Sequence, residues 1–516
     1  MAKGTEKSSK RAAALEPAGK ALLPDEQRDE AENEKASEKR RVANLRYWIA
    51  SLATCISAMG LANSFAYNFA VVCGVERDVD TEMIWKNDTR NSPIMHFPPW
   101  IGNTIYSTYS LGGIFTMLAL LLLRPNVSVR TQVMIGSAIS TACCILIPLL
   151  YDYYPFSTFL LKTLQGAASA PTIPLIGHVT AHWTPVAEVG FIVAILSSYS
   201  QIGIFFTMGT SGVICTTMGW RAIFYWHGFV SFILTMAWFM LFRDFPAEHP
   251  LMSTRELCII QYNKNVATSK NRPKVPYRAF FSSMSVWAVL VAAIGNYNGI
   301  SPLIVFAPSI LKKAVGLSDI ATANYNTVSF AMQLTIKLLS GRISDRWLSV
   351  GESFKTRFFS TISCGLCGAL MILTAFIPEE KQVLCALSIT ITQAIIGFNS
   401  AGFNKAAMIV TRQYAHLIMT LIGVIISAST IAEPFLVAVV APDTTWQQWG
   451  ILFLLHGGIL VVSNLLFCLM ITAKPAPFTM ERTAKSALDK EQAERPLVEP
   501  SSLKSDAGEP SITLSE

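Results

Sequence analysis

Charge is what this sequence has least of. Asp, Glu, Lys and Arg make up 15% of its 516 residues, against about 25% in an average soluble domain. The two ends are crowded with Lys and Glu, so the middle is nearly charge-free. That excludes a disordered chain and an ordinary cytosolic enzyme. A disulfide scaffold is excluded too. Of ten cysteines, Cys55, Cys143, Cys144, Cys364, Cys367, Cys385 and Cys468 fall inside apolar runs, where a free cysteine behaves as a small hydrophobe. Cys364 and Cys367 form a CxxC, but inside an apolar helix that is one turn, and no metal or redox chemistry is expected there. No nucleophile–base pair, metal cluster or phosphate-cradling loop stands in a polar segment. An enzyme is therefore not expected, and no cofactor is implied. The first 45 residues hold no apolar run of the kind a signal peptide needs, so no cleaved leader is expected.

What is present is apolar length. Hydrophobic residues make up 52% of the chain and mean hydropathy is +0.41. A helix of roughly 20 residues crosses a hydrocarbon core about 30 Å thick. Twelve apolar runs of that order follow Arg46: 47–72, 100–123, 131–150, 156–181, 189–214, 221–242, 284–310, 321–340, 358–377, 383–409, 415–441 and 447–472. The expected fold is an all-α membrane protein of twelve transmembrane helices. Residues 1–45 and 474–516 are polar and read as disordered tails. Twelve spans put both tails on one side. With the tails in the cytosol, about 31 of the 41 Lys and Arg fall in tails and cytosolic loops and about six in outer loops, as the positive-inside rule requires. The net charge of +7 is thus a topology signal, and no nucleic-acid partner is expected. Asn87-Asp-Thr89 is a glycosylation sequon in the longest outer loop. Asn126-Val-Ser128 is a second one on the cytosolic side, expected to stay unused. The basic linker 243–283 divides the spans into two six-helix bundles, 46–242 and 284–473. A site between two such halves, near mid-membrane, is a transporter plan.

Ser340-Gly-Arg-Ile-Ser-Asp-Arg346, after span eight, resembles the loop signature of the major facilitator superfamily. Gly341 allows close helix approach. Asp345 can cap a helix N-terminus or pair with an Arg such as Arg346, forming a latch that breaks as the halves rock. The alternative is a solvated basic loop. The matching first-half stretch, Leu123 to Arg130, lacks an Asp. A wider resemblance runs from about Arg46 to Phe478. It rests on Leu164-Gln-Gly-x7-Pro174, Trp183-Thr-Pro185, Gly219-Trp-Arg-Ala-Ile-Phe-Tyr225, Glu248-His-Pro-x-Met-Ser253 with Glu256, Gly402-Phe-Asn404, Arg412-Gln-Tyr-Ala415, Trp446-Gln-Gln-Trp449 and His456-Gly-Gly458. The chain resembles the anion:cation symporters, the family of type I sodium–phosphate cotransporters, sialin and vesicular glutamate transporters. The resemblance implies the major facilitator fold, alternating access, and a small organic or inorganic anion driven by protons, sodium or membrane potential. The sequence departs from the family pattern in several places. No Arg stands in span one, Lys162 replaces a span-four Arg, Ser169 replaces an acid, and Asn296 replaces a span-seven Arg.

Ionisable side chains inside spans are costly and are functional candidates by default. Lys162, in the outer half of span four, reads as an anchor for an anion or a partner for Glu433. The alternative is a stem that snorkels outward. Glu433 lies in the outer half of span eleven, before Pro434. A carboxyl in apolar surroundings can carry a proton, so it is a candidate for proton coupling or for a cationic solute. Its alternative is a neutral acid hydrogen-bonded to a neighbouring helix. Pro434 is expected to kink its helix. Lys337 and Lys405 lie near cytosolic span ends, where snorkelling is the expectation. His178 and His182 share a helical face, but two histidines alone do not hold zinc. His182 is read as a gate residue. Asn63, Tyr67 and Asn68, Gln201, Asn296 to Asn298, Asn399 and Asn404 form a polar lining or interhelical hydrogen bonds. Asn296 to Gly299 reads as a bending point.

The resulting expectation is a multi-pass secondary-active transporter, monomeric, in the plasma membrane or an endolysosomal or vesicular membrane. Its partners are the bilayer, a small solute, anionic by the resemblance, and a coupling H+ or Na+. Two alternatives stand: a neutral or cationic solute on the same transporter fold, and a non-transporting membrane sensor or scaffold.

Overall fold

The computed structural model describes residues 44–78, 99–123, 127–151, 153–154, 156–262 and 276–479. Asn87, residues 1–43 and residues 480–516 lie outside these. The start of the expected C-terminal tail is not disordered: Ala476 and Phe478 pack into the core, and the Ala476 N–H donates to the Val410 carbonyl oxygen at 3.1 Å. Among the described residues there is no strand. The helices are α1 (Leu45–Asp78), α2 (Pro99–Leu123), α3 (Val129–Leu150), α4 (Ser157–Ser169), α5 (Thr172–Trp183), α6 (Val189–Ser197), α7 (Tyr199–Met218), α8 (Trp220–Leu241), α9 (Thr254–Gln261), α10 (Tyr277–Phe281), α11 (Met284–Val305), α12 (Asp319–Arg346), α13 (Glu352–Ser360), α14 (Cys367–Thr374), α15 (Gln382–Ile395), α16 (Phe403–Thr411), α17 (Ala415–Val440) and α18 (Trp446–Met470). Eight of the described helical stretches are long and apolar enough to cross a membrane. The chain is an integral membrane protein.

Side chains set several helix starts. Ser128 accepts from the Thr131 N–H ahead of α3, and Ser318 from the Ala321 N–H ahead of α12. Thr445 and Gln448 form a capping box at α18. Ser128 of the second sequon is therefore a helix cap. Glu256 of α9 accepts from the Leu45 and Arg46 N–H groups at 3.0 and 3.1 Å. It thereby caps α1 from the linker.

Helices α1 to α8 pack among themselves, as do α11 to α18. The end at which α1 begins is called the base here. One hydrophobic core, holding Leu175, Val179, Ile192 and Val193 together with Phe403, Val410, Leu417 and Ile418, spans both groups at the base. Toward the far end the core divides. Tyr67, Ile105, Cys143, Leu161 and Phe224 form one cluster within the first group. Ile300, Met371, Ile389, Trp449 and Leu460 form another within the second. The groups are thus sealed to each other at the base, α2 stays against α17 as far as Gly113 and Ser427 near mid-helix, and the far-end cores are separate.

Glycine makes the seal possible. A Cβ on Gly341 would stand 2.6 Å from the Gly190 carbonyl oxygen and 2.8 Å from the Ala194 Cβ. One on Gly177 would stand 2.4 Å from the Ala415 carbonyl oxygen. Gly341→Val is expected to hold the base apart. The check is labelling of a cysteine placed at Ala194, buried in the seal: labelling faster than in the parent with Gly341 is expected, and equal rates would remove the glycine's role.

Several expected spans are broken. Span four divides at Ala170 and Pro171 into α4 and α5, and span five at Ser198. Span nine carries a π-turn over Thr361–Leu366, and span ten a 3-10 turn over Ile396–Ser400. One of the helix expectations is corrected. The Gly341 to Arg346 stretch is the last part of α12, not a loop beyond it. Asn296 to Gly299 lies within the continuous α11, where a Cβ on Gly299 would meet Leu460 at 2.3 Å. Helix α17 runs through Pro434 as one helix. Eight cysteines are free thiols, and Cys215, at the far end of α7, is disulfide-bonded.

Candidate functional site

Lys162 is 1% exposed, so it does not snorkel. Its Nζ donates to the Ser64 carbonyl oxygen at 2.7 Å and to Gln165 Oε1 at 3.4 Å. The Tyr67 and Tyr109 rings lie 5.5 and 5.7 Å away. Their faces stabilise a cation. The structure thus brings Lys162 and Tyr67 together from α4 and α1. Lys162 makes no ion pair among the described residues, and its expected pairing with Glu433 does not form. Tyr109 is hydrogen-bonded to Ser169, where the family pattern has an acid. Tyr109 and Tyr199 of the first group and Tyr297 of the second lie within electrostatic reach of one another.

Glu433 is buried, and its Oε1 lies 3.5 Å from His456 Nε2. Helices α17 and α18 thus place a carboxyl and an imidazole face to face, at a spacing one shared proton could close. Asn296 is fully buried, donates to Cys364 Sγ at 3.6 Å and accepts from Asn399 Nδ2 at 3.3 Å. Asn63 donates to Ser140 and Ser231. These amides make interhelical bonds. Asn404 is buried in the first turn of α16, beside the base core.

At the base, Asp345 caps the N-terminus of α6 across the two groups. Its carboxylate accepts from the Gly190 N–H at 3.0 Å and the Phe191 N–H at 2.7 Å. Its ionic partner is Lys405, at 2.9 Å, rather than an arginine. Lys405 also meets Glu352 at 3.0 Å, which pairs with Lys355 at 2.7 Å. Lys405 is 2% exposed, so snorkelling is wrong for it. Two carboxylates at hydrogen-bond distance balance the buried ammonium through charge-assisted bonds. Arg342 lies over the Phe191 ring, and Arg346 points into solvent. On the first-group side Arg46 pairs with Glu188 and Glu256 at 2.8 and 2.9 Å.

Lys337 corrects the snorkelling expectation again. It is 4% exposed and donates across the groups, to the Ser197 carbonyl oxygen at 3.0 Å and Gln201 Oε1 at 3.2 Å. His178 bonds the Asp244 carbonyl oxygen and packs at a tilt of 58° against His182, which packs edge-on against Phe245. No group of three or more His, Cys, Asp or Glu converges among the described residues.

Sequence reasoning missed Tyr109, Gln165 and Gln333. One signal was available. Gln165 lies three residues after Lys162 and Gln333 four before Lys337, spacings that share a helical face.

A family model, the Major Facilitator Superfamily, matches residues 50–432. Sialin of Ovis aries is 25% identical over 329 residues, covering 62% of this chain and 65% of that one. Vesicular glutamate transporter 2.1 of Danio rerio is 23% identical, covering 58% and 53%. Sodium-dependent phosphate transport protein 1 of Mus musculus is 22% identical, covering 72% and 80%. The chain thus spans about two thirds or less of the first two relatives. The expected resemblance to these anion:cation symporters holds. Among solved structures, the proton:xylose symporter XylE bound to 6-bromo-6-deoxy-D-glucose aligns with a TM-score of 0.58 and 13% identity, covering 85% of this chain and 99% of that one. At that identity it shows the fold alone. The matched region takes in α1 to α16 and most of α17, and the chain belongs to the major facilitator superfamily.

Proposed function

We propose that this protein is a secondary-active transporter that moves a small polar anion by alternating access. The observation that carries the reading is Lys162: a buried cation without a counter-charge among the described residues, set beside the Tyr67 and Tyr109 rings. A buried ammonium costs several kcal/mol unless something compensates it, and an anionic solute would. The relatives' names, which speak of glutamate and phosphate, support the same class.

The topology goes with it. Twelve spans form bundles 46–242 and 284–473, with both tails and the base in the cytosol. The base bias supports this, and so does disulfide-bonded Cys215 at the far end, since disulfides persist in oxidising compartments. A sealed base and divided far-end cores then describe a carrier open outward. Gly341 and Asp345 form the cytosolic gate, with Arg346 at its rim. Asn87 is a glycosylation site. The functional unit is a monomer in the plasma membrane or an endolysosomal or vesicular membrane.

Glu433, with His456 facing it, is the proton-coupling group. Glu433→Gln is expected to leave uptake independent of outer pH while the parent remains pH-dependent. Identical pH profiles would remove Glu433 from coupling and leave sodium or potential as the driver. The same buried acid favours a second reading, a cationic solute. Competition decides between them. Anions should inhibit uptake and organic cations should not; the reverse pattern would overturn the anion reading.

A further inference from the structure

Two lysines are buried in this molecule in the same manner. Lys162 donates to the Ser64 carbonyl oxygen and the Gln165 side-chain oxygen, and Lys337 to the Ser197 carbonyl oxygen and the Gln201 side-chain oxygen. Neither makes an ion pair among the described residues. Lys162 stands five residues from the far-end start of α4, about 8 Å along the helix. Lys337 stands nine residues from the base end of α12, about 14 Å along it. They belong to different bundles and lie toward opposite membrane faces.

From this pairing we propose that Lys337 is a second anion-binding station, closed in the present state and exposed when the base opens. It would take the same carboxylate- or phosphate-bearing solute that Lys162 takes from the far side. The inference rests on the anion reading above. Its own support is the clasp. Lys337 reaches Ser197 and Gln201 across the bundle interface, and Gln201 Nε2 returns a bond to Gln333 Oε1 at 2.9 Å. All three bonds join the first bundle to the second, so parting at the base breaks them together. An ammonium has three N–H donors. Freed from the clasp, Lys337 presents all three toward the opening cavity. A clasp alone needs no charge, because a neutral amide at this position could bond the same acceptors without the cost of burying an ion. The charge is in excess of the structural task and has a use only in the open state.

The test is chemical labelling of Lys337 by a water-soluble acylating ester, followed by mass spectrometry of the full-length protein. In the wild type Lys337 should react slowly, and in Asp345→Ala, which loosens the base, about 10-fold faster or more. Inorganic phosphate or L-glutamate should slow acylation in Asp345→Ala, and tetraethylammonium should not. Lys337→Gln keeps clasp bonding and removes the charge. Half-saturation from the cytosolic side should then rise about 10-fold or more, the scale of one charge-assisted bond, with the outer side unchanged. Acylation indifferent to both anions, or slowed by the cation, would overturn the station. If anions protect Lys337 but the wild type carries none of them, the station stands and the transport reading fails. If anions are carried and Lys337→Gln shifts both sides equally, the transport reading stands and the station fails.

Discussion

Lys162→Ala abolishes most anion uptake while the protein reaches the membrane in normal amount. The expected loss is about 10- to 100-fold in uptake efficiency, the scale of one charge-assisted hydrogen bond to the solute. Stability should move little, or rise. The substitution removes a buried ion that no carboxylate balances, and losing such a charge offsets the two bonds that go with it. A melting temperature within a few degrees of the wild type, beside lost uptake, separates a binding role from a folding one. Lys162→Arg is expected to recover part of the flux only. The guanidinium keeps the charge but needs a wider, planar set of acceptors than Ser64 and Gln165 provide. Full uptake in Lys162→Ala would remove the anchor and the argument built on it.

Asp345→Ala opens the base. The carboxylate satisfies two N–H groups at the start of α6 and neutralises Lys405. Its removal leaves those groups to find water, which reaches them only when the bundles part. Charge-assisted hydrogen bonds of this kind contribute about 1.5–3 kcal/mol each. Loss of even one would shift an open–closed equilibrium by about 10- to 100-fold. Spin labels on Val186→Cys and Leu348→Cys, both exposed at the base, report the separation, with Cys55, Cys258 and Cys468 replaced by serine. A longer distance population should dominate in Asp345→Ala. Unchanged distances would make the Asp345 cap a local helix device and not a gate.

The spans were the legible part. Apolar length alone placed α3, α8, α11 and α18 within about two residues at their starts, because a hydrocarbon slab imposes one demand along each run. The breaks were less legible, because apolar length runs straight through them. Ser198 interrupts its helix without a composition change, whereas Pro171 and the glycines Gly397 and Gly402 mark the other two breaks only as local signals inside runs that stay apolar throughout. The charged side chains divide in the same way. Lys162 was identifiable as a candidate from its depth in an apolar run. Its partners were not, because Ser64 and Tyr67 come from another helix. Lys337 and Lys405 looked like snorkelling residues from their distance to helix ends. What overrides that is contact across the interface: Lys337 meets Ser197 and Gln201, more than a hundred residues away in sequence, and Lys405 meets Asp345 and Glu352. Glu433 stands out from its depth in an apolar run, but the residue it faces, His456 on the next helix, does not. Position along a helix is written in the sequence, and the facing helix is not.

Concentrative uptake by the purified protein in proteoliposomes tests the central claim most directly. Phosphate, urate, glutamate, sialic acid and an organic cation would each be offered under imposed proton, sodium and potential gradients, beside Lys162→Ala. The account predicts gradient-driven accumulation of an anion that Lys162→Ala loses. Accumulation of the cation alone, or of nothing under any gradient, would contradict it.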